Sequence, residues 1–338
     1  MPRSLRIEYP GAVYHVLNRG NYRFDVFGTE ISKRIFIEVL QTACERTGWI
    51  LHAFCLLDNH YHLCLETPDA NLSVGMQWLQ STFANRFNRA VRDRGHVFQG
   101  RYKSLVVERD EYLGPLLNYI HLNPLRAGLE QGESLGTWRW SSLWYLLRKR
   151  KRWACMDLTD CLYYAGKLAD TPTGRKKYLQ YLTWLSTSKR DQKEQLFARM
   201  CRGWALASRQ FKKTLMAGDA PSGQERPGHE TQEARELYWE GLLDQMLSYH
   251  GKSQPEIDAE SKSADWKVMI AYYLKHHTAV TNGWLSQHLN MGVLHGVSRY
   301  VAMFERANGP KKRAYKRMIA KIDSAEKPPQ FEETSLTS

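Results

Sequence analysis

The chain has 338 residues, a formal net charge of +13 and 43% hydrophobic residues. That length accommodates two or three domains with a sizeable core, and the composition excludes wholesale disorder. No run of 18 apolar residues exists, the opening MPRSLRIEYPG lacks the apolar stretch of a secretion signal, and six scattered cysteines form no CxxC pair, so a cytoplasmic protein with reduced thiols and no membrane partner is expected.

Residues 12–18 (AVYHVLN) read as a strand closed by Arg19-Gly20. Residues 29–47 carry Ile31, Ile35, Val39, Leu40 and Cys44 at helical spacing, with Thr29 placed as N-cap. Residues 49–57 and 60–66 read as two strands joined through Asp58-Asn59. A long helix over 71–92 follows, begun by Asn71, then a fourth strand over 98–108. A helix over 110–123 has Asp110 at its N-cap position and is stopped by Pro124. The order strand, helix, hairpin, helix, strand, helix predicts an α+β fold with a ferredoxin-like antiparallel sheet.

Beyond that point the chain reads as helical. Between Arg139 and Lys213 there are 18 Lys/Arg against five Asp/Glu, interleaved with Trp140, Trp144, Trp153, Tyr178 and Trp184 and preceded by Trp138. Positive charge among rings suits a phosphate backbone and stacked bases. The same pattern also fits a solvated basic face over core aromatics. The expected organisation is a first domain over 1–130, a basic aromatic extension over 131–216, a Gly/Pro-rich linker over 217–235, a helical module over 236–322 and a polar tail over 323–338. In the module, Asn290-Met291-Gly292 marks a turn between two helices, a helix-turn-helix-like pattern whose second helix would offer Ser298 and Arg299 to duplex DNA. A small protein-interaction bundle fits the same pattern.

The chemistry concentrates in two short segments. His60 and His62 lie two apart on one strand, so they share a face and can hold one cation, while Tyr61 points away. Without a cation, the pair is simply two packed histidines. Tyr119 and Asn123 lie four apart on a helix and face the same space. Asn123 could add an oxygen ligand and Tyr119 could attack, although Tyr119 could equally pack beside Leu116, Leu117 and Ile120. Tyr112 and Tyr102 are rival nucleophiles without an Asn partner at i+4. Arg19, Arg86, Arg89, Arg101 and Lys103 supply positive charge around this core.

In combination these residues resemble the HUH single-tyrosine transposases of small insertion sequences, and within them the REP-associated tyrosine transposases. The resemblance spans about residues 9–130. It is carried by Pro10-Gly11-Ala12-Val13-Tyr14-His15-Val16, Arg19-Gly20, Asp58-Asn59-His60-Tyr61-His62-Leu63, Phe98-Gln99-Gly100-Arg101-Tyr102, Tyr119-Ile120 and Asn123 through Leu129. Asp58 stands where the family usually has proline.

The resemblance implies a metal-dependent DNA transposase. Tyr119 would be the nucleophile, and His60, His62 and Asn123 the ligands of Mg²⁺ or Mn²⁺. The substrate would be single-stranded hairpin DNA, cleaved and rejoined through a covalent 5′-phosphotyrosine. The chain would be a monomer or homodimer associated with the nucleoid. A non-catalytic DNA-binding regulator derived from a transposase is the alternative.

Overall fold

A computed structural model describes residues 7–130, 134–187, 197–218 and 229–325. The chain forms two compact units, Met1–Lys212 and Lys213–Ser338.

The first unit is built on β1 (Ala12–Arg19), α1 (Glu30–Thr47), β2 (Ile50–Leu56), β3 (His60–Thr67), α2 (Leu72–Val91), β4 (Lys103–Val107) and α3 (Gly114–Arg126). The strands lie in the order β2-β3-β1-β4, each antiparallel to its neighbour. This is the predicted ferredoxin-like α+β arrangement. β1 and β2 run the same way with β3 between them. Thr29 and Ser32 close α1 with a reciprocal capping box. Asn71 does begin α2, but its side chain serves another purpose. It accepts from the Trp49 indole at 2.7 Å and donates to the Thr47 carbonyl at 2.9 Å, tying the end of α1 to the start of α2.

Cross-strand register sorts the side chains. Leu17 faces His62 and Arg19 faces His60, so His15, Leu17, Arg19, His60, His62 and Cys64 share one side of the sheet. Tyr61 lies on the other side, packed against Phe27 and Phe36. The helices α1 and α2 cover the Tyr61 side, with Phe83 and Phe87 in the aromatic layer. The helix α3 covers the histidine side and brings Leu116, Leu117, Tyr119 and Ile120 into its core.

Three predicted features differ in detail. The fourth strand begins at Lys103, not residue 98. Phe98 still bridges Gly20, but the Asn18 side chain takes the Gly100 carbonyl at 3.0 Å and interrupts the ladder. Asp110 is not an N-cap, because a π-turn over Arg109–Leu113 precedes α3, which starts with Pro115 in its first turn. Pro124 does not stop α3. The helix runs to Arg126 and ends at Ala127, with Gly128 at φ +73°. A proline so near a C-terminus removes a single donor, and glycine then supplies the left-handed turn.

The residues after 130 do not stand apart from this domain. They add α4 (Ser142–Leu147), α5 (Thr159–Tyr164), α6 (Pro172–Thr187) and the short strand β5 (Ala205–Leu206), which pairs parallel to β4 and extends the sheet. Leu143, Leu146, Leu162, Tyr178 and Leu182 share one core with Leu116, Leu117 and Tyr119. The apolar underside of α3 requires that cover, which is why the helical extension is one body with the sheet. Much of its charge and aromaticity is used internally. Lys149, Arg152 and Arg175 all pair with Asp170, Trp153 stacks on Phe54, and the Trp138 indole donates to the Leu56 carbonyl.

The helix α7 (Arg209–Gly218) spans the division between the units, and the second unit continues with α8 (His229–His250), α9 (Gln254–Ala259), α10 (Asp265–His277), α11 (Asn282–His288), α12 (Leu294–Glu305) and α13 (Pro310–Ala325). The expected linker over 217–235 is helical from His229, and its residues 219–228 lie outside the described ones. Likewise α13 takes in residues 323–325 of the expected tail, and the rest is not described. The core joins Met246, Ile270, Leu285, Val297, Phe304 and Met318. Leu289 and Met291 anchor the turn between α11 and α12, with Asn290 at φ +47° and Gly292 at φ +83°. Among the described residues no helix is long and apolar enough to cross a membrane.

Candidate active site

His62 is buried near the start of β3, with the His60 ring centroid 5.0 Å away and the Tyr119 ring 5.4 Å away edge-on. His60, Tyr119, Asn123 and Arg126 line one cavity of about 780 Å³, together with Leu122, Ser186 and Phe197. The two sequence segments thus meet in one place.

The hydrogen bonds fix which nitrogens are free. The Met200 carbonyl can only accept, so the His15 Nδ1, 2.7 Å away, carries a proton. His15 is fully buried, and desolvation lowers its pKa to about 4. It is therefore neutral, and its Nε2 is a lone pair. That lone pair lies 2.9 Å from the His62 Nδ1, which must donate to it. Desolvation also holds His62 well below the usual range, with the neighbouring His15 and His60 adding to the effect. Its Nε2 is consequently a lone pair, and it is buried without a hydrogen-bond partner. His60 reaches the same state by a shorter route. Its Nδ1 donates to the Asn59 Oδ1 at 2.6 Å, which leaves Nε2 as acceptor, and burial lowers its pKa to about 4.

These donors fit the divalent cation that the resemblance implies. Two imidazole Nε2 lone pairs are prepared, one of them orphaned, and Asn123 lies on the wall of the His60 cavity, its Oδ1 accepting from Arg126 at 3.4 Å. Another trio, His15, His62 and Cys201, brings one ligand atom each within 4.8 Å. Both nitrogens of His15 are already engaged, so His15 acts through His62 in this arrangement.

Tyr119 is 6% exposed. Its hydroxyl lies 3.1 Å from the Cys201 thiol, its ring packs edge-on to Phe197, and the Arg126 guanidinium sits 5.3 Å over it. Burial first, then the Cys201 thiol, raises the phenol pKa above its ordinary value. The Arg126 charge and the Asn123 amide oppose that rise. The rivals are elsewhere, Tyr102 lining a second cavity and Tyr112 sitting in the π-turn.

The basic candidates are dispersed. Lys103 is opposite Leu17 in register and, with Arg19, belongs to the histidine side of the sheet. Arg101 lines the second cavity. Arg86 pairs with Glu38 at 2.7 Å, and Arg89 is exposed on α2. In the second unit Ser298 accepts from the Asn282 side chain at 2.7 Å, and Arg299 is exposed. His15, Arg126 and Cys201 were not singled out by sequence. His15 carries a signal, a polar ring in an otherwise apolar strand at the parity of His62's partner. Cys201 carries none.

Residues 9–123 match the family model "Transposase IS200 like". Over 119 residues the chain is 26% identical to a Haemophilus influenzae protein that bears the name REP-associated tyrosine transposase. That match spans 32% of this chain and 66% of the relative, just under two thirds of its length. Among solved structures, a REP-associated tyrosine transposase bound to a REP hairpin aligns with 47% of this chain and 94% of its own, at 17% identity and TM-score 0.38. A transposase structure from Deinococcus radiodurans aligns with 35% of this chain and 95% of its own, at 21% identity and TM-score 0.27. Residues 9–123 are therefore similar to the IS200-like transposases, and within that span the chain resembles a REP-associated tyrosine transposase.

Proposed function

We propose that the chain is a metal-dependent endonuclease and strand-transferase acting on single-stranded hairpin DNA, with Tyr119 as nucleophile. One observation carries the reading. Tyr119, His60, Asn123 and Arg126 line one cleft, and the buried His62, whose Nε2 is orphaned, packs edge-on against the Tyr119 ring. Neither a packed histidine pair nor a packed tyrosine requires that convergence.

The Tyr119 oxygen attacks phosphorus, forming a 5′-phosphotyrosine and releasing a 3′-hydroxyl. The phosphodiester bond is conserved, so a second strand's 3′-hydroxyl can reverse the step without ATP. Arg126 stabilises the phenolate and the developing phosphate charge. Asn123 and the two histidines hold the cation, which when bound polarises the scissile phosphate as a Lewis acid. Because burial raises the phenol pKa, Tyr119 stays protonated in the resting enzyme and becomes reactive only alongside these charges. The Cys201 thiol, bonded to the phenol, keeps it ordered until then. Arg19 and Lys103 line the sheet side toward the substrate backbone. In the second unit, α12 offers Arg299 to duplex DNA.

A labelled hairpin oligonucleotide with unpaired flanks tests the reading. Wild type with Mn²⁺ or Mg²⁺ is expected to release a product bearing a 3′-hydroxyl, and chelator to prevent it. Tyr119→Phe is expected to bind the hairpin without cutting. Multiple-turnover hydrolysis by Tyr119→Phe would replace the reading with a water-using metallohydrolase.

A further inference from the structure

We infer that the turn Asn21–Phe24 is a stacking platform for an unpaired nucleobase beside the cleavage site, an inference that rests on the proposed action on single-stranded DNA. The turn follows β1 directly. Its large rings face solvent, Tyr22 being 93% and Phe24 61% exposed. Tyr22 and Arg23 both have positive φ, +51° and +62°. Two consecutive non-glycine residues in the left-handed region are costly, and such conformations persist only where the surroundings impose them.

The surroundings do impose them. Gly20 donates to the Asn59 carbonyl at 2.8 Å and Asn21 to the Val97 carbonyl at 2.9 Å. Arg23 and Phe24 close back on Gly20 and Asn21 at 3.0 and 2.9 Å. Gly20 is required, since a Cβ there would meet the Phe24 carbonyl oxygen at 2.3 Å. On the far side Val26 and Phe27 are buried, and Phe27 donates to the Asp58 carbonyl at 2.8 Å. The turn is thus pinned at both ends to the β2–β3 connection that leads into His60.

A rigid frame that holds two rings out of the core has lost the packing that would explain them. It leaves flat apolar faces whose ordering cost is already met by the fold. Arg19 and Arg23 are exposed beside the rings, against Asp25 as the acidic neighbour. Aromatic faces among cations suit a base and its phosphate, and every base offers a π-face. The placement also fits the strand geometry. Arg19 is paired in register with His60, so the turn leaves the sheet where a phosphate approaching His60 would have its neighbouring nucleotides.

Full-length protein and two oligonucleotides test this, a blunt hairpin and the same hairpin with an unpaired flank carrying 2-aminopurine. Wild type is expected to quench the probe and to bind the flanked hairpin more tightly. Tyr22→Ala is expected to lose about 5- to 100-fold in affinity for the flanked hairpin, with the quench, while binding the blunt one as before. Tyr22→Trp is expected to restore both, and Phe24→Ala to show a smaller loss of the same kind. Because Tyr22 is outside the core, circular dichroism of the variants is expected to match wild type. Equal effects of Tyr22→Ala on both oligonucleotides, or none on either, would overturn the inference. Wild type that cuts the flanked hairpin while Tyr22→Ala binds it equally well would remove the turn's role alone. Wild type that binds neither DNA would remove the functional reading as well.

Discussion

The Nε2 of His15 accepts a hydrogen bond from the Nδ1 of His62 across 2.9 Å, and this bond decides which nitrogen of His62 is left as a lone pair. His15 is in turn oriented by the Met200 carbonyl at 2.7 Å. A partner that fixes a ligand's tautomer typically matters 10- to 100-fold in metal affinity. His15→Phe is accordingly expected to weaken Mn²⁺ binding by about 10- to 100-fold, read by calorimetry or by the free-Mn²⁺ EPR signal. Hairpin binding in chelator is expected to persist. Unchanged Mn²⁺ affinity would show that His62 is oriented by other means.

Burial of neutral histidines couples folding to pH. His121 is fully buried between the Tyr178 hydroxyl and the Ser142 hydroxyl, both at 2.8 Å, and desolvation lowers its pKa to about 3. The unfolded chain binds a proton near pH 6.5, whereas the folded chain does not until about pH 3. Its contribution is therefore complete above pH 6.5 and falls steadily as pH drops toward 3. His15, lowered to about 4, acts in the same direction. The urea midpoint is expected to fall between pH 7 and 4.5, and His121→Gln to flatten that slope. A midpoint independent of pH over this range would contradict the burial of neutral imidazoles.

Asp170 is 17% exposed and binds Arg152, Arg175 and Lys149. The Arg152 guanidinium, above all, holds its carboxyl well below the usual carboxylate range. Removing the anion leaves Arg152 and Arg175, each 12% exposed, without their charge partner. Asp170→Asn is expected to cost about 2–4 kcal/mol in denaturant unfolding of the first unit. A change within 0.5 kcal/mol, roughly the scale of an exposed pair, would mean that solvent screens the cluster.

The helix α2 passes Trp49 so closely that a Cβ on Gly75 would meet the indole at 2.1 Å. Trp49 is buried and held by Asn71, so it has little room to yield. Gly75→Ala would raise helix propensity in isolation, yet here it is expected to destabilise by about 1–3 kcal/mol through overpacking. A stabilised variant in thermal melts would show that α2 can shift away.

Strand and helix periodicity was enough for the sheet and the two segments that meet on it. His60 and His62 share a face because a strand alternates, and Tyr119 and Asn123 share one because a helix turns every 3.6 residues. Local spacing carried no information on what lies across the fold. Cys201 reaches the Tyr119 hydroxyl from 82 residues away, and Met200 reaches His15 from 185. Basic composition was also ambiguous. Arg152 and Arg175 look like phosphate ligands in the sequence but are spent on Asp170, and Arg86 on Glu38. Pro124 misled because a proline removes only its own helical bond and need not end the helix, which here runs two residues past it to Arg126.

The central claim is that Tyr119 becomes covalently joined to DNA. Full-length protein incubated with a flanked hairpin and Mn²⁺, denatured in SDS, digested with nuclease and protease and analysed by mass spectrometry tests it directly. The account predicts a nucleotide mass on the peptide containing Tyr119, absent with chelator and absent from Tyr119→Phe. Tight hairpin binding with no adduct under any metal condition would contradict it and leave a DNA-binding regulator built on a transposase fold. An adduct on Tyr112 or Tyr102 would contradict the assignment of the nucleophile.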